Sequence, residues 1–465
     1  MRFDFVLPVL YNDQDIAWND DLGKRLEECG ASVAYIAHTR YGERALRKRH
    51  RHVYYFYDGF DADKPASVAE MNALELRYDL GSMADFVYPE LVVPGAQTQE
   101  MLFRRSIHAF KYLEEFTTRH DVGIFFNNLG PAIVRRCLFR MRDKGGPVNA
   151  MIDFAPIRGR VVLTTHESLW DELPAQFPEL SAERRAEMIA FVEKATVEKK
   201  SFAEPAALSL KPHNFVNAAR YAKRFLSERV DVDYSALVYQ RFESIFRVRA
   251  ARLLYETPPP QERYYFFPLH LADDSAITIR APQFQRQEEI VRYVAERVLP
   301  AGVKLYVKPH IAAMHAYSHA MLSEIANIPN VRLVDARIVS HGLIKNAEAM
   351  IVINSTVGFE SLLYGKPVVT LGRVFYRGHG LTTDVDQLAD LPRAAAHAVA
   401  HPPDMELFYR FLHACHVATY PGHAETYDEE NVKLVAAALL QKAAKLGVPV
   451  GARTPGDERP AAHTS

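Results

Sequence analysis

This sequence predicts an α/β protein of two Rossmann-like domains facing across a cleft, with a C-terminal helical extension. Three observations lead there. Apolar runs of strand length alternate with amphipathic helical stretches from the first residues onward, which is the pattern of parallel βαβ units. The 465 residues exceed what one hydrophobic core usually supports. Between the halves, Glu256-Thr257-Pro258-Pro259-Pro260 breaks the pattern, because consecutive prolines cannot continue a helix and stiffen an extended connection. The expected division is an N-terminal domain over 1–255, a second domain over 256–404, helices over 405–447 and an unfolded polar tail over 448–465.

The elements follow in order. Phe3–Val9 reads as a strand, Asp21–Cys29 as a helix ended by Gly30, and Ser32–Ala37 as the next strand. Tyr41–Arg49 is helical and His52–Tyr57 is a third apolar strand; Met71–Leu91 shows no clear period. Thr98–Arg119 is an amphipathic helix, Val122–Phe126 a strand, and the turn 127–131 feeds a helix Ala132–Met141. Pro131 suits a first turn, where its missing N–H costs nothing. Val148–Phe154 and Arg160–Thr164 are further strands, and Ser181–Tyr255 is helical and rich in Arg and Lys. Beyond the prolines the alternation resumes: strands Tyr264–Leu269, Lys304–Val307, Val331–Val334 and Ala349–Ile353, with helices Arg286–Val298, His315–Ala326 and His341–Ala347 between them. Met405–Gly447 is helical.

Composition narrows the class. Hydrophobic content of 48% with 24% charged residues belongs to a globular enzyme rather than a disordered or fibrous chain. A formal net charge of -1 gives no electrostatic case for a nucleic-acid partner. Cys29, Cys137 and Cys415 lie far apart with no CxxC pair, pointing to a reducing compartment and away from zinc. No apolar run reaches spanning length, and Met1–Asp4 carries charge where a signal peptide needs an apolar core; the expected location is cytoplasmic. Asp-x-Asp recurs at Asp13–Asp15, Asp61–Asp63, Asp231–Asp233 and Asp384–Asp386, too cheap a pattern to mark a metal site. The run Arg44–Arg51 reads as a solvated helix face, with contact to a membrane surface or acidic glycan as the lesser reading.

The chemistry concentrates in Lys304–Thr383. Asn354-Ser355-Thr356 follows a strand and opens a helix over Val357–Tyr364, with Gly365 just past its end and Pro367–Leu371 as the next strand. A strand, a polar turn and a helix N-terminus make an anion site, because the first helical N–H groups lack internal partners. Glu360 lies one turn into that helix, at the height of a ribose hydroxyl. Lys308 and His310 follow a strand in the same sheet, where a cation and an imidazole can neutralise a phosphate. Asp274 and Ser275, after the strand ending at Leu269, could hold sugar or acceptor hydroxyls or cap a helix through Ser275. In open α/β sheets ligands bind outside the C-terminal ends of the strands.

The stretches Phe267–Ile277, Lys308-Pro309-His310 and Asn354–Gly372 resemble the C-terminal half of the bacterial capsular polysaccharide synthesis family, which includes the Kdo-transferring glycosyltransferases. The resemblance is specific over Tyr264–Thr383; Ile311 and His270 depart from the family's usual Pro and Gln. It implies a GT-B-like, metal-independent glycosyltransferase without cofactor, retaining in outcome, taking a nucleotide-sugar donor, CMP-Kdo before others, and a glycan or glycolipid acceptor at the cytoplasmic face of the inner membrane. Ile152–Gly159 and Leu163–Ser168 are similar to the family stretch in which an acid, an Arg-Pro turn and a Thr-x-Glu follow one another. Glycosyl transfer needs a carboxylate at the anomeric carbon, which selects Glu167 and Asp153 as candidate catalytic residues, with His166 as the alternative base. Two other readings stand beside it: a nucleotide-sugar epimerase or CDP-polyol phosphotransferase, and a non-catalytic glycan-binding partner in polysaccharide export. No P-loop, GxGxxG or GxSxG motif is present, against NTPases, dinucleotide dehydrogenases and α/β-hydrolases.

Overall fold

The computed structural model describes residues 1–451 apart from 11, 94–96, 129, 168–169, 199–242, 244–246, 260, 312–313, 315 and 425. The N-terminal half runs β1 (Arg2–Val9), α1 (Asp13–Glu28), β2 (Val33–Ala37), α2 (Arg40–Leu46), β3 (Val53–Tyr55), α3 (Val68–Tyr78), α4 (Met83–Leu91), α5 (Gln99–Arg119), β4 (Asp121–Asn128), α6 (Ile133–Asp143), β5 (Val148–Phe154) and β6 (Arg160–Thr164). Helix α7 (Ala182–Glu198) follows. The second half runs β7 (Tyr264–Pro268), α8 (Ser275–Thr278), α9 (Gln287–Arg297), β8 (Lys304–Lys308), α10 (His319–Ala326), β9 (Val331–Leu333), α11 (Ser340–Asn346), β10 (Ala349–Val352), α12 (Thr356–Leu363), β11 (Val368–Thr370) and β12 (Thr383–Asp384). The chain ends through α13 (Leu391–Ala400), α14 (Met405–Val417), β13 (Tyr420–Pro421) and α15 (Glu429–Lys445).

Among the described residues the strands form two sheets, ordered β13-β6-β5-β4-β1-β2-β3 and β12-β11-β10-β7-β8-β9. The second is parallel throughout. The first is parallel over β1 to β5, but β6 runs antiparallel to β5 and β13 antiparallel to β6, so its edge departs from the all-parallel expectation. Strands β1, β7 and β10 are buried almost end to end, as strands covered by helices on both faces must be. Two helix-covered sheets built mainly of parallel strands are the α/β architecture that the sequence predicts.

Several boundaries move, each for a local reason. Helix α1 begins eight residues before the expected Asp21, because the Asn12 side chain accepts from Asp15 N at 2.6 Å and caps it. Met71–Leu91 resolves into α3 and α4, separated where Asp79 and Gly81 take positive φ and restarted by the Ser82 cap. Of the helical reading over Ser181–Tyr255, α7 and a 3-10 turn at Arg252–Leu254 are described; most of the remainder, with Asp231–Asp233, lies outside the described residues.

Helix α7 belongs spatially to the second domain: Met188 and Val192 pack with Phe359, Leu362 and Phe411. The C-terminal helices divide. Helix α14 buries Phe408, Phe411 and Leu412 in that same cluster, whereas α15 crosses back, burying Val435 and Leu439 against Leu7, Leu22 and Val161 of the first domain. The chain beyond α15 is also placed, against the expectation of a tail from 448: Pro449 O accepts from Arg2 and Gly451 N donates to Asp4 Oδ2 at 3.0 Å. The rest of that tail lies outside the described residues. In the basic run Arg44–Arg51, which begins on α2 and continues past its end, Arg47 pairs with Glu43 and Arg49 with Asp20. Among the described residues no helix is long and apolar enough to cross a membrane.

Candidate active site

Three turns at the C-terminal ends of β7, β8 and β10 are tied to one another. Lys308 closes β8 and is buried. Its carbonyl accepts from Leu269 N at 2.8 Å. The Tyr317 hydroxyl accepts from His310 N at 3.1 Å and donates to Leu269 O at 3.2 Å. Asn354, after β10, donates its backbone N–H to His270 Nε2 at 3.2 Å and its side-chain amide to Ala276 O at 2.5 Å. His270 is itself clamped by the buried Gln287, which accepts from His270 N and donates to His270 O. Ser355 caps α12 by accepting from Val357 N, and the Tyr376 hydroxyl donates to Ser355 O at 2.6 Å. Thr356 is exposed at the first helical position.

This framework leaves polar atoms over. Among the described residues His310 Nδ1, Asn354 Oδ1 and Glu360 Oε2 are buried without a hydrogen-bond partner, a state that costs about 1–3 kcal/mol per group. The electrostatics are correspondingly perturbed. Burial lowers Lys308 to about 8, with Glu360 and Asp335 opposing. Burial raises Glu360 to about 7, against the pull of Lys308. Burial and then Lys308 lower His310, so at neutral pH its imidazole acts as a neutral hydrogen-bonding group rather than as a second cation. His270 is pushed down to about 4 by burial, with Asp274 opposing. Perturbed groups of this kind cluster at functional sites.

Two expected roles change. Glu360, 2% exposed, does not stand at the surface: α12 is covered on several sides, and the carboxylate points inward, 3.7 Å from His341 Nε2, whose Nδ1 meets the Tyr364 hydroxyl at 2.9 Å. Buried beside His341, it feels the charge of Lys308 and does not present itself to solvent, where the contact with a ribose hydroxyl was expected. Asp274, not Ser275, is the cap of α8: its Oδ1 accepts from Ala276 N at 2.7 Å, and Ser275 is buried at the first helical position. The cap reading of this pair is the one the geometry favours.

The first domain has its own strand–turn–helix, but its helix N-terminus is filled from within: Ile133 N donates to Glu90 Oε2 at 2.6 Å, and the other Glu90 oxygen holds Arg105 at 2.7 Å. Asp153, at the end of β5, accepts from Phe154 N on one oxygen and from Arg280 on the other. Glu167 pairs with Arg136 at 3.2 Å and lies 4.0 Å from Arg140. Neither carboxylate is a bare base in the ligand-free protein. His166 lies half-buried beside them, its backbone N–H donating to Thr164 Oγ1. Among the described residues no three metal-ligating side chains converge; Asp15 instead accepts from Leu10 N, Asp61 from Asp63 N, and Asp384 from Thr370 and Gly378.

Sequence reasoning passed over His270 as a framework group, and over Gln287, Tyr317, His341, Tyr376 and Arg280. Their partners lie 7 to 127 residues away, and only a strand order brings those segments together. One signal was legible, the glycine of Leu371-Gly372. A Cβ at Gly372 would sit 2.2 Å from Asn354 Oδ1. Gly372→Ala should therefore displace the Asn354 amide and cost about 1–3 kcal/mol of stability; thermal unfolding of the variant against the wild type reads that loss.

Two helix-covered sheets, the second parallel throughout, with buried unpartnered polar atoms at its strand ends and the ion-paired Asp153 and Glu167 carboxylates in the first half of the chain, define an α/β protein. The chain belongs to the capsule polysaccharide biosynthesis protein family, whose model matches residues 175–421, more than half of its length. It is 27% identical over 190 residues to the capsule polysaccharide modification protein LipA of Neisseria meningitidis serogroup B, a match covering 40% of this chain and 25% of LipA. Over 149 residues it is 28% identical to protein FixF of Sinorhizobium fredii, covering 32% and 36% of the two chains. The matched part is thus a quarter to a third of these relatives' length. Among solved structures, the beta Kdo 2,7 transferase KpsC of Thermosulfurimonas dismutans aligns over 94% of this chain and 99% of its own at 13% identity, with a TM-score of 0.37.

Proposed function

We propose that this protein is a glycosyltransferase that moves a sugar from a nucleotide-activated donor onto a growing capsular or other surface polysaccharide. The observation that carries this reading is the set of buried polar atoms without partners on His310, Asn354 and Glu360, at strand ends of the second sheet where the Lys308 charge acts on both His310 and Glu360. The donor phosphate sits there, taking the free N–H groups near Ser355 and Thr356 and the Lys308 ammonium. Membership of a capsule biosynthesis family supports a sugar substrate, and the resemblance over Tyr264–Thr383 favours CMP-Kdo as donor. Asp153 and Glu167, from the opposite domain, supply the carboxylates for transfer, with His166 at hand. Retention of configuration and independence from added metal belong to this reading.

The test is a titration of CMP, CDP and UDP into the wild type, His310→Ala and Lys308→Ala, followed by CMP-Kdo turnover with and without chelator. One nucleotide should bind the wild type, and each variant should lose about 1.5–3 kcal/mol, roughly ten- to a hundredfold. Wild-type affinity in both variants would move the anion site elsewhere. Absence of nucleotide binding and of hydrolysis of any activated sugar would remove the enzyme reading altogether; free nucleotide with an epimerised sugar would turn it into an epimerase.

A further inference from the structure

The residue that joins the two halves of the site was not a candidate from sequence. Arg280 follows α8 in the second domain and reaches into the first. Its NH2 donates to Asp153 Oδ2 at 2.7 Å and its Nε to the Glu167 carbonyl at 3.2 Å. Both side chains of the ion pair are largely buried, so the contact is shielded from solvent and held by two directed bonds rather than one. Arg280 is also fixed at its own base: its N–H bonds to Ser275 O at 3.2 Å, and Ala281 N to Ile277 O at 3.0 Å. The same short helix accepts the Asn354 side-chain amide on Ala276 O. One rigid turn thus touches the nucleotide turn on one side and the Asp153 carboxylate and the Glu167 backbone on the other. Close by, the Tyr88 hydroxyl of α4 bonds to Gln285, which keeps the two domains in register at this edge.

We infer that Arg280 is a positioning residue that couples occupancy of the Asn354 turn to the placement of Asp153 and Glu167 across the cleft. The inference rests on the glycosyltransferase reading for its chemistry, but the coupling itself is a property of the contacts. A guanidinium suits this place better than an ammonium, because its planar fork serves two acceptors at once. Lys at 280 can satisfy one of them, so it should restore part of what Ala loses.

The experiment compares wild type, Arg280→Ala, Arg280→Lys and Asp153→Asn by hydrogen–deuterium exchange over residues 148–167, with and without CMP, and by CMP-Kdo turnover. In the wild type CMP should slow exchange across 148–167, although its own contacts lie in the second domain. In Arg280→Ala that slowing should vanish while CMP affinity stays unchanged, and kcat should fall about ten- to a hundredfold. Arg280→Lys should recover part of both, and Asp153→Asn should abolish the slowing from the other side of the contact, which covers the case of an Arg280→Ala protein that does not fold. Nucleotide binding with the same slowing in wild type and variants would overturn the coupling and leave the functional reading intact. A wild type that binds no nucleotide would overturn both.

Discussion

Glu360→Gln is expected to stabilise the ligand-free protein at pH 8 by about 2–3 kcal/mol. Burial holds the folded-state Glu360 at about 7 against an ordinary 4.5. Between those two values the folded protein retains a proton that the unfolded chain has released, so stability falls as pH rises through this window and stays lost above it. The full separation corresponds to about 3 kcal/mol; part of the gain is offset because Lys308 loses its partner charge. Gln keeps the shape and carries no titrating proton. Denaturant midpoints between pH 5 and pH 8 should fall for the wild type and stay nearly level for the variant. Parallel curves would mean that Glu360 is not held protonated by its surroundings. Unlike Glu360→Ala, this variant leaves no cavity in a helix whose neighbours Phe359 and Leu362 are wholly buried.

Lys442→Ala should cost about 3 kcal/mol, the low end of what breaking a buried pair costs, since Asp171 and Glu172 keep 16% and 18% side-chain exposure. Lys442, on α15, lies 3.2 Å from Asp171 and 2.8 Å from Glu172 with only 2% of its side chain exposed. Burial by itself would raise Asp171, yet Lys442 and the Thr165 N–H and hydroxyl hold it below its usual range. A depressed carboxylate contributes stability at neutral pH that disappears as pH falls through its folded-state value, so the penalty should shrink in acid. Lys442→Met separates charge from packing: if Met restores wild-type stability at pH 7, the pair contributes nothing and only the aliphatic stem matters. Because Thr165 adjoins His166 and Glu167, the loop carrying both candidate catalytic side chains should also loosen.

The second domain was the more legible half. Its strands are short apolar runs set off by Gly, Pro and Asn, so Lys304–Val307 and Ala349–Ile353 fall within a residue of β8 and β10. The turn between β10 and α12 announces itself through Asn354 and Ser355, of which Ser355 caps the following helix locally. The N-terminal caps were less visible. Asn12 and Asp15 stabilise α1 across a stretch of acidic residues with few apolar positions, and no period of hydrophobicity marks its start. The antiparallel turn of β6 was hidden for a different reason: strand direction leaves no trace in a buried run, and only pairing with β5 and β13 sets it.

What the sequence by itself determined is local: which segments are strands and helices, and where the helix N-termini with spare N–H groups fall. Backbone propensity and side-chain caps act over a few residues, so they can be read in a line. Tertiary structure alone decided what each polar residue near those ends is for. Glu360 turned inward beside His341 because α12 is packed on several sides. Asp274 became a cap, Glu90 filled the helix N-terminus of the first domain, and Arg280 met Asp153 from 127 positions away. A charge finds its role by what surrounds it in space, and that follows from strand order and the return of α15 to the first sheet, neither of which is written in any short stretch of residues.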